Sequence, residues 1–143
     1  LSILRTRSAF LFPDLWRFND WQHQALVLAT LAAASRLFAG ELAGRVSGAA
    51  ASVAIAGLLL AVAAAAVPER PSLLMIQPWR WTWVPCIVAV LLLPLVVRSL
   101  WSALPSAGGK PAAMLLSCGW LLSDSLGGIV ALASVVMLAL PDR

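Results

Sequence analysis

The chain has 143 residues, 62% of them apolar and only 11% charged, and its mean hydropathy is +0.93. Water-soluble domains carry about 25% charged residues, so this composition excludes a disordered chain and argues against a soluble enzyme, whose surface so few charges would not cover. An all-α, polytopic transmembrane helical bundle remains as the expectation.

The charges divide the chain. Uncharged stretches run for 15 residues from Trp21 to Ser35, 23 from Val46 to Pro68, 17 from Trp81 to Val97 and 17 from Ser125 to Pro141. A spanning helix needs about 17 to 25 mostly apolar residues, so three stretches qualify and the first is borderline. Residues 1–20 interleave Phe10, Phe12, Trp16 and Phe18 with Asp14, Arg17 and Asp20. Rings and charges are satisfied together at a membrane interface, where this segment is expected to lie. The apolar run Ala9 to Phe12 after Arg5 and Arg7 is too short for a signal-peptide core, and the opening at Leu1 suggests a piece of a longer membrane protein.

Residues 21–143 form the transmembrane region. Helix A is predicted over about 21–39, with a fully apolar centre only from Ala25 to Ala34 and with Arg36 able to snorkel. Helix B covers about 46–67 and is rich in Ala, with Gly48, Ser52 and Gly57. Small side chains permit close helix approach, so helix B is expected to be enclosed by neighbours. Pro68, Pro71 and Pro78 break the following connection. Helix C spans about 83–104, with Pro85 in its first turn and a kink expected at Pro94. After the Gly108 turn, helix D runs from about 113 to 140 and closes a C to D hairpin. Trp83 and Trp101 lie 18 residues apart, about 27 Å along a helix, which suits rings at opposite interfaces.

Net charge is +4 and the pI is about 10.5, but the basic residues are scattered at segment ends. That pattern suits loop charges facing lipid headgroups rather than nucleic acid. Nine of the ten basic residues are Arg, and Ala is abundant, as in GC-rich bacterial coding sequences, so a bacterial inner membrane is the expected location. With four helices, six basic residues fall on one side and four on the other, which leans toward cytoplasmic chain ends.

Asp124 is the charge that topology does not explain, because it falls inside predicted helix D between Ser123 and Ser125. An acid near a helix centre costs about 2.5 to 3.5 kcal/mol on insertion scales. It is expected to mark a functional site or a packing contact. In a hairpin turning near Gly108, Asp124 lies level with position 93, and Arg98 is about 7.5 Å nearer the turn. Side chains lean toward the N-terminus of their own helix, so an Arg98–Asp124 ion pair is expected. Gly119, Ser123, Gly127 and Ala131 recur every four residues along helix D and read as a helix-packing stripe.

The run Gln77-Pro78-Trp79-Arg80-Trp81-Thr82-Trp83 is the second constellation. Arg80 between indoles suits either an interfacial anchor or a headgroup phosphate, with Gln77, Trp79 and Trp81 beside it. Leading into a spanning helix, this run resembles a segment of large bacterial polytopic proteins similar to GT-C-type membrane glycosyltransferases, over residues 73 to about 125. The resemblance implies a lipid-linked sugar donor and catalytic acids in an early extramembrane loop. The 68–82 connection holds Glu69 alone and no acidic pair, so no catalytic residue carries over.

Other chemistries find no support in the sequence. His23 is the one histidine, suited to a structural or headgroup contact and not to a metal cluster. Gly108-Gly109-Lys110-Pro111 is a turn, lacking the hydroxyl residue that a phosphate loop needs after Lys. Cys86 and Cys118 differ in expected depth and read as small apolar residues that do not bridge. No metal or cofactor is expected. The partners expected are membrane lipids and further transmembrane helices. Two functions follow: the membrane module of a lipid-dependent glycosyltransferase-like protein, or a non-enzymatic membrane subunit, transporter part or assembly factor.

Overall fold

The computed structural model describes residues 13–66, 78–102 and 108–139. A 3-10 turn at Pro13–Leu15 leads into α1 (Phe18–Leu37) and α2 (Leu42–Ala66). A second 3-10 turn at Pro78–Thr82 leads into α3 (Trp83–Ser102), which is followed by α4 (Gly109–Leu121) and α5 (Gly127–Ala139). The architecture is all-helical among the described residues. Two segments, Leu42–Ala66 and Arg80–Ser102, are long and apolar enough to cross a membrane. Helix α1 matches them in length, with 20 residues, but its first turns carry Asn19, Asp20, Gln22, His23 and Gln24.

Local chemistry sets the ends of α1. The Asp20 carboxylate accepts the Arg17 amide at 2.8 Å, satisfying a backbone donor and placing negative charge at the positive end of the helix dipole. At the other end the Phe38 amide donates to the Ala34 carbonyl, and Gly40 turns the chain with φ of 88°, a conformation glycine adopts without a Cβ clash. Helix α2 then starts with Gly44 against the Phe38 carbonyl, where a Cβ would overlap the backbone. So short a connection makes α1 and α2 antiparallel neighbours.

The enclosed helix is α1, not α2 as the small residues of helix B suggest. Leu26, Val27, Ala29, Leu31, Ala33 and Ala34 are each at most 2% exposed, and α2, α3 and α5 all pack against them. Helix α2 buries one stripe, Gly44, Ser47, Ala50, Ala54, Gly57, Ala61 and Ala64. These positions recur in steps of three and four, so they share one face. The opposite face shows Val53, Ile55, Leu59 and Val62 to the outside. Helix α3 likewise buries Pro85, Ala89, Val96 and Leu100 and exposes Val84, Ile87, Leu91 and Leu95. Pro94 is accommodated within α3.

Predicted helix D is two helices. The chain leaves the helix after Leu121, turns through residues 122–126 and returns as α5, with the Leu122 carbonyl accepting the amides of Ser125 and Gly127. A Cβ on Gly119 would lie 2.8 Å from the Gly127 carbonyl oxygen and 3.2 Å from Ala131 Cβ. Further along, Ser134 Oγ donates to the Ala112 carbonyl at 2.9 Å. The stripe Gly119, Ser123, Gly127 and Ala131 therefore closes on itself across a hairpin. Each arm has 13 residues, about 19 Å of helix.

Among the described residues this extra reversal gives five helices in alternating direction, so Phe18 and Ala139 lie at opposite ends of the bundle. The four-helix reading put the chain ends together, and its tally of basic residues no longer assigns a side.

Filling the hairpin contact should unfold it. Gly119→Val is expected to cost about 1 to 3 kcal/mol by overpacking in an unfolding titration in mixed micelles. Gly48→Ala, where nothing lies within 4 Å, should be neutral or stabilising by up to about 1 kcal/mol. Equal effects of the two would contradict the hairpin.

Candidate functional site: a polar cavity at one end of the bundle

Three parts of the chain meet at the end where α1 and α3 begin. The first turns of α1 present Asn19, Asp20, His23 and Gln24 on one face, as spacings of three and four dictate. Trp16 precedes them, Thr82 and Trp83 enter from the start of α3, and Ser123 and Asp124 come from the α4–α5 turn. Together they enclose a cavity of about 370 Å³. A second space of about 260 Å³ adjoins it, sharing His23, Gln24, Thr82 and Trp83 and adding Cys86 and Ile87. Among the described residues, two carboxylates and two indoles line the first cavity, and neither Lys nor Arg does.

Beneath the cavity the polar groups of α1 are satisfied by its neighbours. Gln22 Oε1 accepts the Ile129 amide at 2.9 Å, which supplies a partner for one of the free donors in the first turn of α5. Trp120 Nε1 donates to Thr30 Oγ1 at 3.0 Å, and the Thr30 hydroxyl donates to the Leu26 carbonyl at 2.9 Å. The His23 ring meets Trp120 edge to face, with centroids 6.3 Å apart, and His23 Nε2 lies 3.6 Å from Cys86 Sγ. That pair joins a nucleophile type to a base type. No carboxylate bonds to His23 among the described residues, so the third, orienting group of a catalytic triad is missing.

The structure separates the expected ion pair. Asp124 is exposed on the hairpin turn at the cavity. Arg98 is exposed near the far end of α3, 15 residues beyond Trp83 and hence about 22 Å away along the axis. The expected pairing failed because its depth arithmetic assumed an unbroken helix D. Arg80 and Trp81 are exposed on the turn leading into the cavity, while Gln77 and the Trp79 side chain lie outside the described residues. Both cysteines are free, and Cys118 is exposed rather than buried. Among the described residues no group of three His, Cys, Asp or Glu side chains is placed to hold a metal ion.

Sequence reasoning did not bring Asp20, Trp16 and Asp124 together, nor Thr30 and Trp120. One signal for the cavity was present: the polar run Gln22-His23-Gln24 at one end of an otherwise apolar helix.

A double-mutant cycle distinguishes the two proposed couplings. Thr30→Val and Trp120→Phe should couple by about 1 kcal/mol, because Thr30→Val takes the acceptor from the Trp120 N–H and Trp120→Phe leaves the Thr30 hydroxyl with its bond to Leu26 alone. Arg98→Gln and Asp124→Asn should add within about 0.5 kcal/mol. The reverse pattern in unfolding free energies would contradict the geometry. No protein-family model, curated protein or solved structure matches the chain.

Proposed function

We propose that this protein is a multi-pass module of a bacterial inner membrane that engages lipid headgroups at the cavity end. One observation carries the reading: between Arg45 and the end of α2, Ser52 apart, and between Trp83 and Arg98 on α3, the exposed side chains are apolar. Leu59 is 66% exposed, Leu91 is 70% exposed, and Ile55, Val62, Ile87 and Leu95 stand beside them. In water such faces would be contiguous apolar patches far beyond those of soluble monomers, whereas hydrocarbon solvates them at no cost. Meanwhile the helix with the most polar side chains, α1, is the enclosed one, which is where a bilayer protein shelters them.

Arg80, exposed on the same turn as Trp81 at that end, suits the phosphate of a headgroup through its planar fork of donors. This supports the resemblance to lipid-dependent glycosyltransferases at the level of lipid engagement. Asp20 and Asp124 share the cavity lining, and the proposed role is binding and placement of a lipid. As a non-enzymatic subunit, the module would be held together by the α4–α5 hairpin and not by an Arg98–Asp124 pair.

Membranes from cells expressing the chain, washed with alkaline carbonate, test this reading. The protein should stay in the pellet. Leu91→Arg, placing a charge at mid-depth of α3, should cost about 2.5 to 3.5 kcal/mol of insertion, reducing the pelleted fraction. Release of the unaltered chain by carbonate, or indifference to Leu91→Arg, would refute it. Arg80→Ala should also weaken binding to vesicles of phosphatidylglycerol.

A further inference from the structure

His23 and Cys86 come from different helices and meet beside the smaller cavity. Cys86 follows the start of α3 by three residues and His23 follows the start of α1 by five, so both lie within about 8 Å of the helix ends. That is the depth at which headgroup and acyl chain join when these helices stand in a bilayer. The Cys86 thiol is 3.6 Å from His23 Nε2. In the imidazole tautomer that carries its proton on Nδ1, Nε2 keeps its lone pair and the S–H donates to it.

Packing holds the ring in place. His23 meets the Trp120 indole edge to face, and Trp120 is tied back to α1 through Thr30, so α1 and α4 fix the imidazole and α3 brings the thiol to it. The thiol stands at a border. On one side Cys86 packs against Val27, Leu31, Ala50 and Ala89, and on the other it lines a cavity of about 260 Å³ with His23 and Ile87. Ile87 is 58% exposed, and Val90, one turn beyond Cys86, is 47% exposed, so an alkyl chain on Sγ would run along the apolar outer face of α3. Cys118 is a control within the same chain: it is free and exposed on α4, while the one histidine faces Cys86.

We propose that Cys86 is an acylation site at which His23 acts as the base and a long-chain acyl thioester is the donor. As Sγ bonds to the thioester carbonyl carbon, Nε2 takes the thiol proton. The bond between that carbon and the donor sulfur then breaks, and the donor thiolate leaves with the proton returned from Nε2. One thioester is exchanged for another, nothing is oxidised or reduced, and the imidazole ends neutral as it began. The attached chain would lie in the hydrocarbon that Ile87 and Val90 face, adding an anchor at this end of α3. The activated thiol follows from the His23–Cys86 geometry alone, while the choice of a long-chain donor rests on the membrane reading above.

The protein purified in maltoside micelles and incubated with palmitoyl-coenzyme A, with acylation followed by intact mass and peptide mapping, tests this. Cys86 should be acylated about tenfold faster than Cys118, although Cys118 is the more exposed thiol, and neutral hydroxylamine should remove the group. His23→Ala should slow Cys86 by about a hundredfold and leave Cys118 unchanged. Added imidazole should restore part of that rate, as it would not for a histidine that only packs. Where His23→Ala loses helicity by circular dichroism, the comparison of the two thiols in the unaltered chain decides. Acylation of Cys118 as fast as Cys86, an undiminished rate at Cys86 in a folded His23→Ala protein, or a loss that imidazole leaves untouched would overturn the proposal. A chain that resists carbonate but acylates both thiols equally loses this proposal alone. One that carbonate releases while Cys86 still outpaces Cys118 loses the membrane reading alone.

Discussion

The tertiary structure depends on the backbone contact between Gly119 and Gly127. With no Cβ on either residue, the arms of the α4–α5 hairpin approach until the Gly127 carbonyl lies where a Gly119 Cβ would be. Any larger side chain would separate them. That separation would also move Gly128, which lies against the Gln22 backbone of α1, and would break the bond from the Ile129 amide to Gln22. The hairpin thus fixes its own turn and the seating of α5 on the central helix together. The position of Asp124 follows, since it is carried on the turn that this contact closes.

Around that contact the polar residues are sorted inward. Thr30, Ser47 and Ser134 are fully buried, and each hydroxyl donates to a backbone carbonyl. Trp120 offers its indole N–H to Thr30. Leaving such groups unpaired in an apolar surrounding would cost about 1 to 3 kcal/mol each. Between the helix ends, the large side chains facing out are mostly Leu, Val and Ile, which need no partner, and the exposed Arg and Lys side chains sit near helix ends. A water-soluble bundle sorts its side chains the other way, so this arrangement agrees with the composition without depending on it.

Much of the helical frame was legible because charge and proline mark helix ends to within a few residues. Arg45 falls in the first turn of α2, and Arg80 precedes α3. The reversal in predicted helix D was harder to see. Ser123, Asp124 and Ser125 interrupt an apolar run that has neither proline nor a long polar loop, and Leu122 and Leu126 flank them. Two signals pointed to it: a predicted helix longer than a bilayer requires, and Gly127-Gly128 just after the polar triplet. The stripe of small residues was recognised as packing, but periodicity alone gives the face of a residue and not its partner, so contact of the stripe with itself stayed hidden. The cavity was hidden for a related reason. Its residues come from positions 16, 19, 20, 23, 24, 82, 83, 123 and 124, and no local pattern joins segments that meet only after the chain has reversed direction several times.

The cavity walls are set by the same packing that builds the bundle. His23 and Gln24 line it, while Gln22 beside them caps α5. Trp83 lines it, while Thr82 beside it is 5% exposed and Pro85 is buried in the interface with its neighbours. Asp124 lines it three residues before the Gly127 contact. Several lining residues thus lie within three positions of one held by tertiary contacts. Little of the wall needs ordering when something enters, and ordering is a main cost of association. A ligand entering this end would therefore meet a wall whose charge and ring chemistry the packing has already largely set in place.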